Sequence, residues 1–279
     1  MSAGACIAAL HCYPLKSARG IELASALLTS AGLDQDRRWM VLSSTGRFMT
    51  QREVPALARI HPALDAQGLT LTAAGRPSLR VSPTALSAAD QAAATRTVRV
   101  WRDDCQAIDE GDAAAAWLTA LLGHECRLVR FAPEQRRLSD RHWTGTLEAE
   151  NRFSDGFPVL VIGAASLTEL NARLPAPLPM NRFRPNLVLD GLEPFDEDRI
   201  DELGDGELRL KLVKPCTRCV ITTTNQDTAT VEGEEPLATL RRYRYDPALR
   251  GVAFGQNAVI VAGAGTTLRR GQPLQVRWR

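Results

Sequence analysis

Lysine is almost missing from this chain, along with several features that would assign it quickly to a class. Of the 34 basic residues only Lys16, Lys211 and Lys214 are lysine, which leaves 31 arginines. The 32 acidic residues bring the net charge to +2, so no bulk charge draws the protein to nucleic acid or to a membrane surface. A GC-rich coding bias, which the many alanines also suggest, accounts for most of the arginines. The planar guanidinium nevertheless suits phosphate and carboxylate recognition. No stretch of about 18 apolar residues runs without charge, which excludes a membrane-spanning helix. Residues 1–9 lack the basic start and long apolar core of a secretory signal. The 6 cysteines do not have the spacing of a small disulfide scaffold and fit a reducing compartment. A soluble, cytoplasmic protein is expected. There is no internal repeat.

What is present is ordinary in bulk and specific in detail. A chain of 279 residues with 44% hydrophobic and 24% charged residues can bury a large core in one or two domains. The chemistry concentrates in Lys214-Pro215-Cys216-Thr217-Arg218-Cys219-Val220-Ile221-Thr222-Thr223-Thr224. Pro215 resists helix and the β-branched run favours extension, so the cysteine pair is expected on a loop or at the start of a strand. Thioredoxin-type pairs open a helix instead. Positive charge from Lys214 and Arg218 suits a thiolate, which can bind a soft metal or act as a nucleophile. Structural zinc would need two more ligands. No second C-x-x-C follows, and Cys6, Cys12, Cys105, Cys126 and the 4 histidines are scattered. Two small buried cysteines without chemistry are the plainer alternative.

Along the chain, short strands are expected at residues 6–13, 21–28, 38–42, 57–62, 69–72 and 79–81, with Ser43-Ser44-Thr45-Gly46 as a hairpin turn. Residues 83–97 read as a loose connection and 98–102 as a strand. Asp112 is placed to cap a helix over 113–122 that Gly123 stops. A strand over 127–131 makes a domain boundary near Cys126 plausible. Residues 133–157 read as a long loop, and 158–162 as a buried strand. Ser166-Leu167-Thr168-Glu169 has the spacing of a capping box, opening a helix to about Leu174; its amides are suited to an anion. Arg182 and Arg184, alternate residues of an extended segment, are expected on one face as a clamp, with a surface ion pair as the alternative. Residues 194–207 are strongly acidic and read as a solvated turn, since the glycine of a calcium loop is absent. Strands at 208–213, 258–261 and 274–278 and a helix over 236–243 close the pattern.

Five fragments then stand in a familiar order: Tyr13-Pro14-Leu15-Lys16-Ser17, Asp36-Arg37-Arg38-Trp39-Met40-Val41, Asn181-Arg182-Phe183-Arg184-Pro185-Asn186, Pro215-Cys216-Thr217-Arg218-Cys219 and Phe254-Gly255-Gln256-Asn257. In this the chain resembles MOSC-domain proteins, in particular the amidoxime-reducing component family and its bacterial relatives, over nearly its whole length. The resemblance implies a mainly β fold with a few helices: an N-terminal MOSC β-barrel domain over 1–125 and a MOSC β-barrel domain over 126–279. It implies a molybdenum cofactor, a pterin dithiolene with an oxo-molybdenum centre, and Cys219 as the metal's protein ligand and catalytic residue. Lys16, Ser17, Arg37 and Arg184 match cofactor-contact positions; Thr217 and Ser166 are further transfers. Arg182 and Arg218 are possible helpers. The implied reaction reduces small N-hydroxylated compounds (amidoximes, hydroxylamines, N-hydroxylated bases) to amines or amidines. No cysteine run of the C-x4-C-x2-C type follows the last strand, so electrons are expected from a separate reductase, ferredoxin-like protein or cytochrome. Pyridoxal phosphate is not expected, nor an N-terminal membrane anchor. The alternatives on the same cysteine are a persulfide-carrying sulfurtransferase and a protein that carries the cofactor without turnover.

Overall fold

The computed structural model describes residues 4–82 and 87–279. Its centre is a closed barrel of seven strands. They are Ala5–Cys12, Val159–Gly163, Leu187–Asp190, Ile200–Gly204, Arg209–Thr217, Gly251–Ala262 and Pro273–Trp278. The long Gly251–Ala262 strand closes the ring by pairing on one side with Arg209–Thr217 and on the other with Val159–Gly163. Closure leaves no unpaired edge among these strands. One neighbouring pair, Val159–Gly163 with Leu187–Asp190, is parallel. A parallel pair needs a long crossover, and helix Ala164–Asn171 lies in it.

The barrel interior holds Ile7, Leu10, Val161, Leu189, Leu210, Leu212 and Leu274, each nearly or fully buried. Ile7 and Leu10 come from the first strand, so the start of the chain completes a barrel built otherwise from its second half. The register there slips once, between Ile7 and Ala9, which turns both residues inward despite their odd spacing.

Around the barrel sit smaller sheets. Trp39–Ser43, Cys126–Phe131, Asp103–Asp109 and Thr95–Val100 form a four-stranded antiparallel sheet. His61–Asp65, Gly68–Thr72 and Leu79–Val81 form a three-stranded one. Helix Asp112–Leu122 buries Ala114, Leu118 and Leu122 with Leu69, Leu71, Val81 and Leu128 from both sheets. Ser25–Thr29 pairs with Gly32–Leu33 and Thr267–Arg269. The expected mainly β architecture with a few helices is what is observed. Among the described residues no helix is long and apolar enough to cross a membrane.

Several local readings are corrected. Residues 55–59 form a 3-10 turn before the strand His61–Asp65, because Pro55 opens a turn where extension was expected. Within 83–97, residues 83–86 lie outside the described residues; the remainder makes helix Ala88–Ala93 and the start of strand Thr95–Val100. Gly111, not Asp112, precedes the helix Asp112–Leu122, and Asp112 makes no capping bond. The Ser166–Glu169 box does not form: the helix starts three residues earlier, after Gly163, and Glu169 pairs with Arg173. In the acidic segment, Asp196 and Glu197 are buried rather than solvated.

Candidate functional site

Two remote fragments are laced together beside the first barrel strand. The Arg37 amide donates to the Tyr13 carbonyl (2.8 Å), the Trp39 amide to Pro14 (2.9 Å) and the Lys16 amide to Trp39 (2.8 Å). The Tyr13 amide is held by the Asp36 carboxylate at 2.8 Å. Asn186 adds a third fragment: its amide oxygen accepts from Arg37 (3.0 Å) and from the Leu160 backbone (3.1 Å), while its Nδ2 donates to the His11 carbonyl. Burying so many polar groups is tolerable because each has a partner.

Ser17, Arg37 and Arg184 all adopt left-handed backbone angles, with φ of 66°, 45° and 57°. Such angles are uncommon for non-glycine residues and gather where surrounding structure imposes them. Here the side chains are aimed by it. The Arg37 and Arg184 guanidinium carbons each lie 4.3 Å from the centroid of the buried Tyr13 ring. Arg184 donates to the Ala18 carbonyl (2.6 Å) and Tyr13 Oη to the Pro185 carbonyl (3.1 Å). Burial, reinforced by the nearby Arg37 charge, pushes the Arg184 pKa down to about 10.

Cys219 lies on a loop, one of the two places expected, and neither cysteine opens a strand. Cys216 lies in the last turn of strand Arg209–Thr217, and Cys219 precedes a 3-10 helix, Val220–Thr223. In that helix Thr222 and Thr223 return their hydroxyls to the Cys219 and Val220 carbonyls at 2.9 and 2.8 Å. Hydroxyl back-bonding of this kind lets the β-branched run curl despite its strand propensity. All 6 cysteines are free thiols. Arg218 Nη1 lies 2.8 Å from Cys216 Sγ, and Arg52 Nη2 lies 3.5 Å from Cys219 Sγ.

Lys16, Ser17, Arg37, Arg184, Thr217 and Cys219 line one cleft together. Ser166 does not join them. It is fully buried, donating to Glu197 (2.7 Å) and accepting from the Phe195 amide (2.8 Å). Arg182 is also elsewhere, in a 3-10 turn where it pairs with Glu232, so the expected one-faced clamp of Arg182 and Arg184 does not form. Arg218 does line the cleft.

Two cleft residues escaped the sequence reading. Arg52 stacks on Trp101, its guanidinium carbon 4.8 Å from the ring. Asp155 accepts from Lys16 Nζ at 2.6 Å and from Trp101 Nε1 at 3.2 Å. The Asp155 side chain is largely exposed, and Lys16, then Arg52 and Trp101, hold its carboxyl below the usual range. Burial lowers the Lys16 pKa while Asp155 resists. Asp155 lies in the long loop, whose length was a signal; nothing local marked Arg52. Among the described lining residues, five cations (Lys16, Arg37, Arg52, Arg184, Arg218) face one acid, Asp155. The cleft can take an anionic ligand of several charges beside a half-buried thiol.

Comparison with known proteins bears on this arrangement. Residues 4–125 match the family model of the MOSC N-terminal beta barrel domain, and residues 148–275 that of the MOSC domain. The chain is 34% identical to mitochondrial amidoxime-reducing component 1 of Mus musculus, over 96% of this chain and 81% of that protein. It is 34% identical to the Homo sapiens component 1, covering 91% and 78%, and 34% identical to component 2 of Bos taurus, covering 88% and 74%. With both family models matched in order and this identity sustained along nearly its full length, the chain belongs to the MOSC-domain family and is similar to the amidoxime-reducing components.

Proposed function

We propose that this protein is a molybdenum-cofactor oxidoreductase that reduces small N-hydroxylated compounds, such as amidoximes, hydroxylamines and N-hydroxylated bases, to amidines or amines and water. The observation that carries the proposal is the surplus of cations in the cleft that holds Cys219: of the five, Lys16 is paired with Asp155 and Arg37 with Asp36, which leaves Arg52, Arg184 and Arg218 without a paired carboxylate among the described residues. A pterin dithiolene with its phosphate is anionic at one end and sulfur-rich at the other, and this donor set suits both ends. Lys16, Ser17, Arg37 and Arg184 would hold the phosphate end, with Thr217 beside the metal end. Cys219 would supply the thiolate, a soft ligand suited to molybdenum. The buried Arg218 Nε, which has no partner among the described residues, is a further donor available to such a group. Ser166 is sealed against Glu197 and outside these direct contacts.

When bound, the cofactor supplies a two-electron centre that accepts oxygen. The chain's own part is to bind, orient and balance charge. The Tyr13 stack fixes two guanidiniums, Asp155 fixes Lys16, and Arg52 fixes the Cys219 sulfur. Each turnover consumes two electrons and two protons per N–O bond broken, and we assign the electrons to a separate protein (a reductase, a ferredoxin-like protein or a cytochrome). The relatives are named as mitochondrial proteins; for this chain we propose the cytoplasm. We propose residues 1–125 and 126–279 as its two domains, with strand Ala5–Cys12 crossing into the barrel of the second and Cys126–Phe131 pairing with Trp39–Ser43 of the first.

The test is reduction of benzamidoxime to benzamidine with a reduced dye as donor, using protein made in a host that synthesises the cofactor. Turnover in wild type and none in Cys219→Ala is expected. Absence of turnover together with a persulfide on Cys219, read by mass spectrometry, would replace this reading with the sulfur-carrier one. Bound molybdenum without turnover would replace it with a cofactor carrier.

A further inference from the structure

A second cleft backs onto the first. It is lined by Arg38, Arg136, Arg137 and Arg152, with Glu150 the one acid among its described lining residues, and has a volume of about 270 Å³. The four arginines are not equivalent. Arg137 is fully engaged, donating to Asp103 (2.8 Å), to Asn151 (2.6 Å) and to the carbonyls of Arg152 (2.8 Å) and Ser154 (2.6 Å). Arg136 is held by Glu150 and Glu148 at 2.5 and 3.2 Å.

Arg38 and Arg152 differ. Arg38 donates to the Gln35 amide oxygen at 2.7 Å, and Arg152 to the Leu33 carbonyl at 3.3 Å. The carboxylate paired with Arg152 is Asp34, at 4.0 Å, beyond hydrogen-bond reach. Gln35 explains why: its Nε2 spans both Asp34 oxygens, at 3.1 and 3.0 Å, and its Oε1 takes Arg38. A neutral amide therefore stands between the acid and the guanidinium. The charge is left under-compensated, and burial, then Arg130 and Arg152, lower the Arg38 pKa although Asp34 and Glu110 oppose. Two guanidiniums without a hydrogen-bonded carboxylate, in one recess, are matched to a phosphate.

The wall between the clefts is shared. Arg37 lines the first and Arg38 the second; Asp155 lines the first and Arg152 the second. The Phe153 amide donates to the Arg37 carbonyl at 3.0 Å, tying the two wall segments together. Lys16, Arg184 and Cys219 belong to the first cleft alone, so the two recesses present separate donor sets.

We propose that the second cleft is a phosphate site, binding the phosphate group of a small molecule between Arg38 and Arg152, with Glu150 at its rim setting the affinity. The site does not depend on the molybdenum reading.

Titration with inorganic pyrophosphate, followed by calorimetry, tests it on five proteins: wild type, Arg184→Ala, Arg38→Ala, Arg152→Ala and Glu150→Gln. Arg184→Ala weakens the first cleft and is expected to keep a binding component that Arg38→Ala and Arg152→Ala each weaken about tenfold, the loss of a charge-assisted hydrogen bond. Glu150→Gln removes the opposing charge and releases Arg136, so it is expected to tighten binding several-fold, a gain that misfolding cannot imitate. The proposal is overturned if wild type binds no pyrophosphate or if all binding disappears in Arg184→Ala. Unchanged affinity in Arg38→Ala and Arg152→Ala, or unchanged or weaker affinity in Glu150→Gln, overturns it equally.

Discussion

Arg52 and Cys219 are separated by 167 positions in sequence, yet Arg52 Nη2 reaches the Cys219 sulfur at 3.5 Å. The arginine comes from the turn after the 39–49 hairpin, in the segment that matches the N-terminal family model; the sulfur belongs to the segment that matches the second. Trp101 supports the contact from below by stacking on the guanidinium and anchoring its own indole on Asp155. The sulfur is thus approached by a cation that Trp101 and, through it, Asp155 hold in place.

Removing that cation should loosen whatever Cys219 holds. Arg52→Ala is expected to lower the molybdenum retained per protein after desalting by about tenfold, the worth of one charge-assisted hydrogen bond. Arg52→Lys should be intermediate, since it keeps charge and loses the planar stack. Trp101→Ala should act in the same direction by a few-fold. Equal retention in all four proteins would contradict the role given to Arg52.

Tyr13 should matter through its ring more than its hydroxyl. Tyr13→Leu removes two guanidinium stacks and a buried hydrogen bond, and should cost about 2–3 kcal/mol in denaturant unfolding. Tyr13→Phe keeps both stacks and should cost about 1 kcal/mol. An equal loss in the Phe and Leu variants would show that the Pro185 contact, not the stack, is what counts.

Gly255 explains why a glycine follows Phe254. Its φ is +81°, and a Cβ there would stand 2.6 Å from Ile162 Cγ1 and 2.8 Å from the Val161 carbonyl, where the barrel closes. Gly255→Ala is expected to destabilise by about 2–4 kcal/mol through left-handed strain and overpacking together. A thermal midpoint within a degree of wild type would refute it.

The fold was legible where periodicity and punctuation are local: the strands near residues 6–13, 39–43, 69–72 and 79–81, and the helix stopped by Gly123. Of the residues that the family resemblance implied, Lys16, Ser17, Arg37, Arg184, Thr217 and Cys219 line one cleft. What failed was decided by partners remote in sequence. Val220–Thr223 curls into a 3-10 helix because its hydroxyls turn back on the backbone. Ser166 has the spacing of a cap but is claimed by Glu197, 31 residues on. Arg182 and Arg184 part because Arg184 takes a left-handed angle that no periodicity encodes. Arg52 could not be singled out, since its partner is defined only once the chain has folded.

Acid should act on Asp155. Its side chain is largely exposed, and its carboxyl is held below the ordinary range in the folded protein chiefly by Lys16. A depressed folded pKa contributes stability that is complete above the unfolded value of about 4 and is lost as pH falls below it toward the folded value. Asp155→Asn leaves Lys16 without its counter-charge. It should therefore be less stable than wild type at pH 7, and the difference should shrink as the pH is lowered below about 4. Parallel stability curves for the two proteins from pH 7 to 2 would contradict the pairing.

In the proposed function, Cys219 holds molybdenum in a cleft that also holds a pterin phosphate. The most direct test is the molybdenum and pterin content of wild type and Cys219→Ala, both purified from a host that makes the cofactor. Wild type is expected to carry near-stoichiometric molybdenum and pterin, with molybdenum lost in the variant. Wild type carrying neither would contradict it, and so would molybdenum retained at the wild-type level without the Cys219 sulfur.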